Sequence, residues 1–316
     1  MENSCDGILL IDKKAGETSF EAARRIGRIL KAKKVGHAGT LDPFATGLLI
    51  ILLGQGTKLF PYLMPLKKKY TGILRLGIET DTQDLSGRVL NVRPVPEYDL
   101  DFLREKARDF VGEIEQVPPK FSAVRYEGKR AYEYARKGIE FELGARKVKV
   151  YSFEILATRL PEVTIQVVCS GGTYIRSLVS DFGTALGPGA HLVALRRESC
   201  GPFDLGEAVS VEETRGPSPG EFLKQRIIPL AQALPHVKEI GIGGDLAEKI
   251  RKGYQPRMNE LIPGGAHLDS PKEEIKLVKD EELVALARVP EEQTGLEGRL
   301  KILRVFNIQR RCRKWP

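Results

Sequence analysis

The chain has 316 residues, 50 Lys and Arg against 42 Asp and Glu, a formal charge of +8 and 41% hydrophobic residues. That is enough apolar material for a normal core, in one large domain or a larger and a smaller one. No apolar run is long enough for a membrane span and no signal-peptide pattern opens the chain, so a soluble cytoplasmic protein with no membrane partner is expected. Gly7 to Asp12 is a short apolar run and reads as a first strand. Thr18 followed by Glu21 fits a capping box. Ala22, Ala23, Ile26, Ile29 and Leu30 then recur at helical spacing, with Arg24, Arg25, Arg28 and Lys31 largely on the other face. Leu48 to Leu53 is too uniformly apolar for a half-exposed strand and should be central. Tyr70 to Ile78 alternates as a strand does, and Leu100 to Val111 reads as an amphipathic helix. Val163 to Cys169 predicts a strand, then a Gly-rich corner, then a helix carrying Ile175, Leu178, Phe182 and Leu186. Strands and helices do not alternate strictly, which favours an α+β fold with a mixed, largely antiparallel sheet flanked by helices.

Glu212 to Gly220 contains GPSPG and reads as a loop or linker. From about Lys238 the texture changes to short β-like segments, at Glu273 to Val278, Glu282 to Val289 and Arg299 to Phe306. A small all-β unit over 238–316 is expected, after a larger domain over 1–235.

The charge is unevenly spread. Residues 120–149 hold nine Lys or Arg and four Glu. Further basic clusters are Arg24, Arg25 and Arg28; Lys31, Lys33 and Lys34; Lys67 to Lys69; and Arg310, Arg311, Arg313 and Lys314. Each alone reads as a solvated face, but together they favour a nucleic acid partner. Cys5, Cys169, Cys200 and Cys312 are scattered, as are His37, His191, His236 and His267, so neither a disulfide framework nor a metal site is expected.

The run with most chemical content is GHAGTLDPFATG, residues 36–47. Its glycines permit positive φ and close approach of a ligand. Pro43 fixes its own backbone and biases Asp42 toward an extended conformation. An ordinary Asp-Pro turn has the same composition. A lone carboxylate on a stiffened loop before a buried strand also reads as a placed reactive group.

The string resembles the catalytic loop of the TruB-type tRNA pseudouridine synthases, a GxLDPxATG setting, at Gly39, Leu41, Asp42, Pro43, Ala45, Thr46 and Gly47. Further stretches follow in the family's order. Gly7 to Ser19 (GILLIDKKAGETS) is similar to its first motif, with Lys14 where proline is usual. Lys69 to Gly77 and Asp81 to Asp84 resemble the motif that supplies an aromatic ring. Val117 to Tyr126 and Tyr132 to Gly138 resemble its RNA-gripping insertion. Ser170 to Ser177 (SGGTYIRS), then His191 to Arg197 and Gly201 to Phe203, complete the pattern. The tail, with KIRKG at 249–253, ELVALARV and LKILRVF, is similar to the RNA-binding PUA barrels.

The resemblance implies isomerisation of the T-loop uridine of tRNA, position 55, with no cofactor, by a monomer. It implies Asp42 as nucleophile or electrostatic stabiliser, Arg176 as its counterion, and Tyr70 as a catalytic residue that stacks on the base and is a candidate to remove the proton at ring carbon 5. It implies His37 as a wedge in the vacated stack, Tyr174 and Leu195 as pocket walls, and Lys13 and Asp84 as further substrate-binding positions. The basic insertion at about 120–149 would then contact phosphates. Three other readings compete: an RNA-binding module without chemistry, an RNA methyltransferase using Cys169, and a phosphate-transferring aspartate enzyme. The last lacks a carboxylate near Asp42 to hold Mg²⁺. Gly54 to Lys58 (GQGTK) lacks the spacing of a phosphate-binding P-loop and the Ser or Thr after its lysine.

Overall fold

The structure, a computed structural model, describes residues 5–261, 272–290 and 298–307. The Arg310 to Lys314 cluster, His267 and Cys312 lie outside them. Its strands are β1 Gly7–Lys13, β2 Val35–Ala38, β3 Thr46–Leu53, β4 Lys68–Leu76, β5 Ile78–Thr80, β6 Val89–Val92, β7 Gly112–Gln116, β8 Arg125–Tyr126, β9 Lys129–Arg130, β10 Arg146–Arg159, β11 Glu162–Cys169, β12 Ala190–Cys200, β13 Phe203–Asp204, β14 Lys238–Gly241, β15 Glu274–Lys279, β16 Glu282–Arg288 and β17 Lys301–Val305. Its helices are α1 Ser19–Ile29, α2 Phe60–Leu63, α3 Leu100–Arg108, α4 Ala131–Arg136, α5 Ile175–Leu186, α6 Pro219–Gln225, α7 Gly244–Arg251 and α8 Met258–Leu261.

The main sheet runs β1-β3-β12-β4-β11-β10-β7, with β2 on β3 and β13 on β12. Every pairing in it is antiparallel except β12 with β3. The fold is therefore mixed α+β with a largely antiparallel sheet. Leu48 to Leu53 of β3 are all within 1% of full burial. Both faces of that strand are covered, which is why its sequence does not alternate. One face packs against α1, α3 and α5, with Ile26, Leu103 and Phe182 at no exposure. The other packs Leu48, Ile50 and Leu52 against Leu59, Leu230 and Phe306.

The capping box at Thr18 forms: its hydroxyl accepts from the Glu21 N–H, and the Glu21 carboxylate accepts from the Thr18 N–H. The basic stretch 120–149 ends inside a strand, since Arg146 to Lys149 begin β10 and pair with β7. Residues 212–220 are not simply a linker. They hold a short 3-10 turn, Glu213–Arg215, and start α6, where Pro219 occupies the first turn and needs no hydrogen bond for its nitrogen.

A second sheet, β14-β15-β16-β17, has its own apolar cluster around Ile250, Leu277 and Leu300. It docks on the first through Val278, Leu283, Leu286 and Phe306. The GQGTK segment forms a 3-10 turn at this junction. Lys58 donates to the Val305 carbonyl at 2.7 Å and sits over the Phe306 ring, and Gln55 pairs with the Asn307 backbone. Cys169 and Cys200 are free and buried, while Cys5 is disulfide-bonded, which the scattered spacing does not predict.

Candidate active site

The Asp42 loop crosses from β2 to β3 and is pinned from beneath. Ser19, at the start of α1, both accepts from the Leu41 N–H at 2.8 Å and donates to the Leu41 carbonyl at 3.0 Å. The Pro43 carbonyl accepts from the Gly16 N–H at 2.8 Å and from the Lys13 amine at 3.3 Å. The Ala45 N–H closes a turn onto the Asp42 carbonyl. Gly47 has φ of +100°, and a Cβ there would lie 2.3 Å from the Arg197 carbonyl oxygen. Only glycine lets β3 run this close to β12.

Arg176, in the first turn of α5, grips the Asp42 carboxylate in a fork. Its Nε donates to Oδ2 at 2.9 Å and its Nη2 to Oδ1 at 3.0 Å. The guanidinium is only 3% exposed and is saturated by the Thr82 and Phe121 carbonyls. Asp84 stands 3.6 Å from its far side. Burial pushes the Asp42 carboxyl above its ordinary range, and the Arg176 charge and hydrogen bonds pull it back.

These two residues line a cavity of about 360 Å³ together with His37, Tyr70, Tyr174 and Leu195. Six of the eight residues singled out in the sequence thus meet in one place. The other two stand behind it. Lys13 is fully buried, with its amine on the Lys14, Glu17 and Pro43 carbonyls. Desolvation lowers that amine to about 8, against the attraction of Glu17 and Asp42. Asp84 is 4% exposed and accepts from the Thr82 hydroxyl and from the N–H and hydroxyl of Ser86. Lys13 braces the Asp42 loop and Asp84 braces Arg176.

Tyr70 is nearly buried, and desolvation pushes its phenol up to about 12. It is a neutral aromatic wall at ordinary pH. Tyr174 is held at the N-terminus of α5 by Gln116, whose side-chain amide accepts from its N–H at 2.8 Å and donates to its carbonyl at 3.0 Å. Burial raises the Tyr174 phenol and lowers the His37 imidazole. Cys169, weighed above as a nucleophile, has no exposure, and its thiol is pushed up to about 11. That is an inert thiol at neutral pH.

The cavity also holds groups the sequence did not single out. Arg130 and Arg146 line it while exposed on their outer sides. Lys68 and Arg197 line it from inside, 4% and 0% exposed. Lys68 reads in the sequence as part of a surface charge cluster. Its place on β4, in step with Tyr70, turns it inward. Arg197 ends the His191 to Arg197 stretch of the family pattern, but nothing local marks it as facing the cavity, and nothing local marks Gln116.

A charge-clamped carboxylate beside aromatic rings, in a cleft lined by four arginines, is an arrangement of the active-site class. Residues 27–175 match the TruB family pseudouridylate synthase (N terminal domain), and 176–234 match the tRNA pseudouridylate synthase B C-terminal domain. A tRNA pseudouridine synthase B of Syntrophus aciditrophicus is 42% identical over 312 residues, 96% of this chain and 99% of the relative. One of Geotalea uraniireducens is 38% identical over 314 residues, 96% and 98% of the two chains. A chain in the crystal structure of a Cbf5-Nop10-Gar1 complex superposes with a TM-score of 0.71 at 26% identity, over 96% of this chain and 85% of its own. This chain belongs to the TruB family of pseudouridylate synthases.

Proposed function

We propose that this protein converts uridine to pseudouridine in the T loop of tRNA, with Asp42 as the group that attacks or stabilises the everted nucleoside. The observation that carries the reading is the Asp42–Arg176 fork at a cavity of about 360 Å³, in a chain whose curated relatives are named tRNA pseudouridine synthase B. The reaction breaks the bond from ribose to ring nitrogen and remakes it to ring carbon 5. It imports no group and needs no cofactor. What it needs is an ionised carboxylate held still, a ring-shaped slot and a way to keep the base out of its stack.

Everting the base costs a few kcal/mol. Tyr70 offers a face for it, and Tyr174 and Leu195 close the walls. His37, which lines the same cavity, serves as the wedge in the vacated stack. The exposed cations of 120–149 offset the cost by contacting phosphates. The four-stranded unit from Lys238 onward serves as a PUA-like RNA-binding domain beside the catalytic domain. No helix among the described residues is long and apolar enough to cross a membrane.

The test is an unmodified tRNA transcript incubated with the protein and mapped for pseudouridine at single-nucleotide level. A signal confined to the T-loop uridine is expected, with no change in RNA mass. A mass increase would instead indicate methyl transfer, and an unmodified transcript bound tightly would indicate a binding module.

A further inference from the structure

The cavity floor holds positive charge with no anion to match it. On β12 and β4, Arg197 pairs directly with Tyr70, so the guanidinium lies beside that ring, and Lys68 lies two residues along the same face of β4. Arg197 is fully buried. Its Nε donates to the Leu48 carbonyl at 2.7 Å and its Nη2 to the Gly39 carbonyl at 3.0 Å; Nη1 is buried and makes no well-formed hydrogen bond, and the Tyr70 hydroxyl is the side chain that interacts with this guanidinium. The Lys68 amine donates only to the Met64 and Leu66 carbonyls. Among the described residues, neither cation has a carboxylate within ion-pair distance, and Asp42 is already committed to Arg176. Burial lowers the Lys68 amine, a sign of a cation held without compensation. Water and neutral ligands do not balance such a site; an anion forming inside the cavity does.

We infer that Arg197, backed by Lys68, stabilises the negative charge that develops on the uracil ring during the reaction. The inference rests on the uridine-isomerising reading above. When the C1′–N1 bond breaks, its electron pair stays on the ring and spreads over N1, O2 and O4. Carbon 5 then bonds to C1′, the carbon 5 proton leaves to a base, and N1 takes up a proton. Nothing is oxidised or reduced. A donor fixed beside Tyr70, the wall on which the ring lies, strengthens as charge reaches a ring oxygen. A backbone phosphate is tethered on both sides and stays at the mouth, near Arg130 and Arg146. A flipped base reaches the floor.

The experiment uses the full chain and tRNA transcripts carrying uridine, 2-thiouridine or 4-thiouridine at the target position. Sulfur is a poorer hydrogen-bond acceptor than oxygen, so wild type is expected to slow on one of the two thio substrates. R197K is expected to lose about a hundredfold or more in kcat, keep tRNA affinity within a few-fold, and show a much smaller thio effect at that position. An undiminished thio effect in R197K would make Arg197 a structural brace and overturn the inference. So would weakened affinity with unchanged kcat, which would place a phosphate on Arg197. If R197K fails to fold, wild type decides: full speed on both thio substrates overturns the inference. Conversion of the plain uridine transcript by wild type reports on the parent reading separately.

Discussion

Asp42 is held by two opposed effects, and its titration follows from them. Burial favours the neutral carboxyl and Arg176 favours the carboxylate, with burial the larger, so the folded value lies above the ordinary 3.8. The folded protein therefore binds this proton more tightly than the unfolded chain does. The contribution of Asp42 to stability is greatest in acid and falls as pH rises through the folded value. The reaction needs the carboxylate, so the acid limb of kcat/KM should lie above that ordinary value. In Arg176→Lys the fork is lost, the limb should move further up, and the rate at neutral pH should fall about a hundredfold. A pH–rate profile of both proteins checks this; an acid limb that does not move on substitution would mean that Arg176 does not hold the charge on Asp42.

At the level of elements, the site depends on loops pressed against strands. Gly47→Ala would set a Cβ into the Arg197 backbone at a positive φ, and a loss of roughly 2 kcal/mol or more is expected in denaturant unfolding. An unchanged midpoint would show that β3 and β12 have room to part. Lys13 gives a second prediction. Its folded value of about 8 lies below the unfolded 10.5, so between those pH values the unfolded chain holds more protons and stability rises with pH. Thermal melts should therefore show wild type gaining on Lys13→Met across that alkaline window; a flat difference would contradict the placement of the amine.

These elements also show what the sequence discloses. β1, α1, β3 and α5 are legible because their apolar spacing is regular, and α1 has a local capping box besides. β10 and β12 are not. Each carries two bulges, at Val150/Ser152 and Ile155/Ala157 and at Leu192/Ala194 and Arg197/Ser199, and a bulge breaks the alternation that marks a strand. The same holds for the site. Asp42 sits in a contiguous motif and is readable. Gln116 and Arg197 acquire their tasks only through partners distant in the chain, such as the Tyr174 backbone or the Gly39 carbonyl. Lys13 and Asp84 are found by the motif but not their position behind the cavity.

For the whole molecule, two sheets share one apolar seam while the cations spread over the outside. The exposed Arg130 and Arg146 at the cavity and the other Lys and Arg of 120–149 carry the proposed phosphate contacts. Binding that uses about six of them should weaken roughly a thousandfold between about 50 and 200 mM salt. Neutralising Arg130 and Arg146 together should lower the logarithmic salt slope by about two. Affinity measured across a salt series decides it, and a flat response would remove the role given to these cations.

Without the Asp42 carboxylate the cleft should still bind and orient the RNA but should not convert the uridine. Single-turnover conversion and affinity for the same tRNA transcript, measured side by side for wild type and Asp42→Asn, test it most directly. The substituted amide should leave binding within a few-fold and produce no pseudouridine. Turnover retained by Asp42→Asn would contradict the account.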